Sequence, residues 1–109
     1  MRYNKIFVVA EAPKAAGIHV SHYEAVDKTD QYAVWAEDGE GSCVTCDNVK
    51  TEQTITGTID YFTTMEQDPN VDEIQKSLNA FGISFYLTSV QTEEEVEPGY
   101  THFEWVWEV

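Results

Sequence analysis

Basic side chains are scarce in this sequence: six Lys and Arg stand against twenty Asp and Glu, a formal charge of -14 at pH 7. A surface of that sign repels nucleic-acid phosphates instead of displacing their counterions, so direct, sequence-specific binding to DNA or RNA is not expected. The same excess keeps single chains apart. Packing many copies together would need the charge to be separated, neutralised by a basic partner or divalent cations, or offset by ordered contacts. Cysteine is as sparse: Cys43 and Cys46 make no disulfide framework, and a reducing cytosol is the simpler compartment. No apolar run approaches the roughly 20 residues that cross a bilayer. The short stretch from Ile6 to Ala10 runs into Glu11, so neither a membrane span nor a leader is expected. The sequence also lacks a Walker loop, a dinucleotide fingerprint, a nucleophile elbow and a His-Glu zinc motif. No enzyme, no cofactor and no metal is expected on that ground.

What is present suffices for one domain, since 109 residues with 42% apolar content can bury a modest core. The segment from Tyr3 to Ala16 sets Ile6, Val9, Ala10 and Ala16 on one side of a helix that Gly17 can end. Pro13 disrupts it, which leaves a short helix over 3–12, one restarted at Pro13, or a strand through Ile6, Val8 and Val9. Residues 18–23 alternate as an edge strand, Asp27 to Asp30 reads as a turn, and Tyr32 to Ala36 as a strand ending at Glu37. Residues 39–50 read as a long connection. The clearest strand places Ile55, Gly57, Ile59 and Tyr61 on one face and Thr54, Thr56, Thr58 and Asp60 on the other, with Gly57 marking a bulge or a close backbone approach.

Asp68-Pro69 is a strong helix start, Val71, Ile74, Leu78 and Phe81 form one stripe, and Gly82 supplies the exit, which predicts a helix over 69–81. A strand follows over 83–90, with Ile83, Phe85 and Leu87 opposed to Ser84, Tyr86 and Thr88. Gln91 to Glu97 reads as an exposed hairpin connection. In the last segment Phe103, Trp105, Trp107 and Val109 face one way, and His102, Glu104, Val106 and Glu108 the other. The economical arrangement is an α+β domain, with two helices on one face of a four- or five-stranded, mostly antiparallel sheet.

The candidate sites are modest. Cys43 and Cys46 have the C-x₂-C spacing of redox pairs and half zinc sites, but no helix follows and no second pair exists, so they read as ordinary loop cysteines. His19 and His22, three apart on a strand, point to opposite faces, which is poor geometry for one ion. Glu93, Glu94, Glu95 and Glu97 form a solvated run suited to a basic partner; adjacent loop carboxylates lack the fixed separation that glycoside hydrolysis needs. Tyr86 and Val106 lie opposite the core sets of their strands, with Tyr32 or Tyr61 able to join them, and are the aromatic and apolar interface candidates. The acidic ones are Asp38, Glu40, Glu93, Glu94 and Glu95.

Over residues 18–109 the order of features resembles the small tail-completion or tail-terminator proteins (minor tail or capsid proteins) of long-tailed bacteriophages and prophages. The likeness rests on Tyr32-Ala33-Val34-Trp35, Asp47-Asn48-Val49-Lys50 and Thr56-Gly57-Thr58-Ile59-Asp60-Tyr61-Phe62-Thr63. It continues through Val71-Asp72-Glu73-Ile74-Gln75, Leu78, Ser89-Val90-Gln91 and the closing aromatic strand Thr101 to Val109. The resemblance implies a homo-oligomeric ring, six subunits being one arrangement, that caps the tail tube and joins it to the head–tail connector. It would form in the host cytoplasm and end in the virion tail, with the loops at 37–50 and 91–99 meeting tube, connector or neighbouring subunits. The alternative is an acidic monomeric adaptor or inhibitor of a basic protein.

Overall fold

The computed structural model describes residues 6–25, 30–40, 54–93 and 99–109. Helix α1 (Val8–Ala15) follows a single tight turn at Ile6 and Phe7, and it is succeeded by β1 (His19–His22), β2 (Gln31–Glu40) and β3 (Ile55–Thr63). Helix α2 (Asn70–Ala80), β4 (Ser84–Glu93) and β5 (Tyr100–Glu108) complete the order. The sheet runs β1-β2-β3-β5-β4, with β1 parallel to β2 and every other pairing antiparallel. This is the expected α+β class, a five-stranded sheet with both helices on one face.

Alternation builds that face. Along β3, Ile55, Gly57, Ile59, Tyr61 and Thr63 are buried while the residues between them are half-exposed. Trp105 and Trp107 of β5 and Ala33 and Trp35 of β2 continue the buried layer, which meets Ile6 just before α1, Val9 and Ala10 of α1, and Ile74 and Leu78 of α2. Fully burying an aliphatic side chain such as Ile74 or Leu78 contributes about 1.5–3 kcal/mol. Gln75 accepts a hydrogen bond from Trp105 Nε1 at 3.0 Å, so this buried indole is satisfied by the helix above it.

Gly57 sits where two things crowd the chain. A Cβ there would collide with the Ala36 carbonyl, the Trp107 ring and the Glu37 Cα. Opposite it, β2 bulges between Glu37 and Gly39. Both a bulge and a close approach therefore occur at this position, as its place in the strand pattern implied.

Several boundaries differ from the sequence reading. Helix α1 runs to Ala15 with Pro13 inside it and buried, not over 3–12. Proline here removes only the donor that Val9 O would have met, and it lies near the end, where Gly17 exits at φ 79. Strand β2 continues through the acidic stretch to Glu40, because the bulge keeps it paired to β3 as far as Ile55. Strand β4 extends to Glu93, with a second bulge between Leu87 and Ser89. Tyr61 points into the core and takes no part in the interface set. Phe81, expected in the helical stripe, is 45% exposed past the end of α2, where the chain turns through Gly82 at φ 71. The turn at 27–29, residues 41–50 with Cys43 and Cys46, and 94–98 with Glu94 and Glu95 lie outside the described residues.

Candidate functional site

Both helices pack on one side of the sheet, so the other side is covered by no described element. Its side chains form cross-strand rows. Tyr32, Phe62 and His102 share one row across β2, β3 and β5, and their rings stack, with centroids 4.7 Å apart for Tyr32–Phe62 and 4.3 Å for Phe62–His102. Tyr100 meets Tyr32 edge-on at 5.8 Å. Val34, Asp60, Glu104 and Ser89 make the next row, and Ala36, Thr58, Val106 and Tyr86 the one after. Aromatic and aliphatic rows thus flank a charged one.

The charged row holds a conflict. Asp60 and Glu104 are directly opposite each other on paired strands, an arrangement in which like charges destabilise a sheet. His102 relieves part of it, with Nε2 2.7 Å from Asp60 Oδ1. Burial, a hydrogen bond shared with Asp60 and the charge of Asp60 hold the Glu104 carboxyl above its ordinary range, with Asp38 adding to the rise and His102 opposing it. One donor atom from each of Asp60, His102 and Glu104 lies within 4.8 Å of the other two. This is the set of described residues that could hold a metal ion. Beside it, Tyr23, Tyr32, Val34 and Phe62 wall a shallow depression that reaches Asp60.

Two other polar clusters hold the fold together. Asp68 lies buried at the start of α2, where Oδ1 accepts the Asn70 backbone N–H at 2.9 Å and Oδ2 accepts from Gln31 Nε2 at 2.9 Å. The Tyr61 hydroxyl donates to the same Oδ2 and accepts from Asn70 Nδ2 at 3.1 Å. Burial and the carboxylate beside it push the Tyr61 phenol up to about 12. Burial pushes Asp68 upward too, but the donors Tyr61, Asn70, Thr63 and Gln31 outweigh it and leave the carboxyl below its ordinary range. On the helix side, His22 is sandwiched between Tyr23 and Trp35, each with its ring centroid 3.9 Å away. Its Nε2 faces Glu37 at 3.1 Å.

The interface candidates divide. Tyr86 is 62% exposed and pairs directly with half-buried Val106 on the uncovered face. Asp38, at the β2 bulge, accepts a hydrogen bond from Thr56 Oγ1 at 2.9 Å on the same face. Glu40 and Glu93 occupy strand ends, paired in register with Ile55 and Tyr100. The sequence reading put Asp60, His102 and Glu104 on polar strand faces without joining them. The β3–β5 register joins them, and its one local sign was that two strands of matching alternation each carry acids on their polar side. Comparison with protein-family models and with curated proteins finds no match to this chain. Among the described residues, no helix is long and apolar enough to cross a membrane.

Proposed function

We propose that this chain is a structural assembly subunit that works by binding copies of itself and neighbouring proteins, of the kind that closes a phage tail tube and joins it to the head. The observation that supports this reading is the uncovered sheet face. A strongly acidic chain has every solubility reason to make such a face polar, yet half-buried Phe62, Tyr100 and Val106 and exposed Tyr86 lie across it, while Tyr32, an interface candidate from the sequence, is buried beneath its neighbours. Aromatic side chains give large contact area at small entropy cost, which is how interfaces are anchored. A further support is β4, whose outer edge has no partner strand among the described residues and which exposes Tyr86, Leu87 and Val90. A free edge of this length offers backbone donors and acceptors to an adjoining subunit.

Electron microscopy of the purified protein, with and without phage tail tubes, tests the reading. Rings, or density capping one tube end, are the expected result, and Tyr86→Asp combined with Val106→Asp should abolish them while leaving the circular dichroism spectrum unchanged. Failure to associate with tubes or connectors at high concentration would discard the terminator role. An acidic adaptor for a basic protein would take its place.

A further inference from the structure

The Asp60, His102 and Glu104 cluster asks for an explanation that assembly does not supply. Two carboxylates placed opposite each other on adjacent central strands cost stability, and a sheet that needed only a polar surface could carry Thr or Ser there, as Thr56 and Thr58 do on the same face. The third member is an imidazole, which separates this cluster from an ordinary solvated acidic patch. Its Nε2 already faces Asp60 at 2.7 Å, and the His102 and Asp60 side chains are only 18% and 22% exposed. Phe62 stacks on the His102 ring and fixes its plane. The backbone under all three donors is paired on both sides, β3 by β2 and β5, and β5 by β3 and β4, so the donors stand on the most rigid part of the sheet.

We infer that Asp60, His102 and Glu104 form a binding site for one divalent transition-metal ion of the zinc class. Zinc takes imidazole nitrogen and carboxylate oxygen at about 2.0–2.2 Å, which sets neighbouring donors about 3–3.5 Å apart. The three donors already lie within 4.8 Å of one another, so the adjustment an ion would require is small. The imidazole selects against Mg²⁺ and Ca²⁺, which favour all-oxygen shells. Three protein donors leave a coordination position for water or for a donor from another molecule. The depression that reaches Asp60 gives the ion a way in, and the net charge of -14 raises the local concentration of cations. The inference stands whether or not the chain assembles into rings.

The test uses the full chain carrying Cys43→Ser and Cys46→Ser, so that thiols cannot account for uptake, titrated calorimetrically with ZnCl₂ near neutral pH. One Zn²⁺ per chain is expected, with a Kd on the order of micromolar. Separately, His102→Ala and Asp60→Asn should each weaken binding at least about tenfold, whereas His22→Ala should not change it. A tenfold excess of Mg²⁺ should not compete. Co²⁺ added to the thiol-free chain provides a readout independent of variant folding: its paramagnetism should broaden the amide resonances of residues 58–62 and 102–106 first. Absence of Zn²⁺ uptake, uptake insensitive to His102→Ala, Mg²⁺ competition, or broadening centred on His19 and His22 would each overturn the assignment.

Discussion

At the scale of single residues, the fold tolerates one substitution poorly and would gain from another. Gly57→Ala inserts a methyl group where the Ala36 carbonyl, the Trp107 ring and the Glu37 backbone already meet, and none of these is the free end of a flexible chain. The expected loss is about 1–3 kcal/mol or more, read as a lower urea midpoint. Glu104→Gln runs the other way. The Glu104 carboxyl is held above its ordinary range, so its contribution is favourable below about pH 4.3 and is lost as the pH rises through the higher, folded-state value. At neutral pH the ionised group opposes Asp60, and in metal-free buffer the amide should stabilise the protein by about 0.2–1 kcal/mol, a gain that disappears when the urea titration is repeated near pH 4. The same change removes a proposed zinc donor. A residue that costs stability in the free chain and gains affinity in the loaded one is what a binding position imposes.

Among the elements, β3, α2 and β5 could be read directly from the sequence because each has one wet and one dry side, and burial follows that period. Where a neighbour sets the geometry, the sequence was silent. Both bulges arise from pairing: the one at Glu37 and Gly39 lets β2 extend beyond its apolar stretch, and the one at Leu87 and Ser89 changes which residues of β4 face the helices. Strict alternation puts Val90 opposite Leu87, yet the register pairs Leu87 with Trp105 and Val90 with Phe103, both on the helix side. Pro13 was a similar case, since a rule about helix interiors carries little weight near the last turn. The Asp60, His102 and Glu104 cluster was hidden for the same reason, being defined by a pairing between strands that α2 and β4 separate in sequence. Thr88 offers a test of the bulge. Deleting it leaves Leu87, Ser89 and Val90 in plain alternation, so the core should survive with its melting temperature little changed. The straightened outer strand should self-associate more, as light scattering would show, because bulges protect edges from pairing.

For the whole molecule, charge and shape pull in opposite directions. The contact between copies proposed through the uncovered aromatic rows is opposed at long range by a net charge of -14. Raising the ionic strength from about 0.01 M to about 1 M shortens the screening length from about 30 Å to about 3 Å. Sedimentation velocity should therefore show self-association strengthening with salt, by about tenfold or more in the association constant. Weakening would mean that complementary charges, and not apolar rows, make the contact. Topology carries a last consequence, for how the protein is made. Strand β3 pairs with β5, yet α2 and β4 are synthesised between them, so β3 leaves the ribosome seconds before its partner. Until β5 arrives, Ile59 and Tyr61 have no Trp105 or Phe103 beside them, and the nascent sheet presents an open, sticky margin. Through the interval before its central strand is inserted, the repulsion of a chain carrying a net charge of -14 is the newborn molecule's own guard against its neighbours.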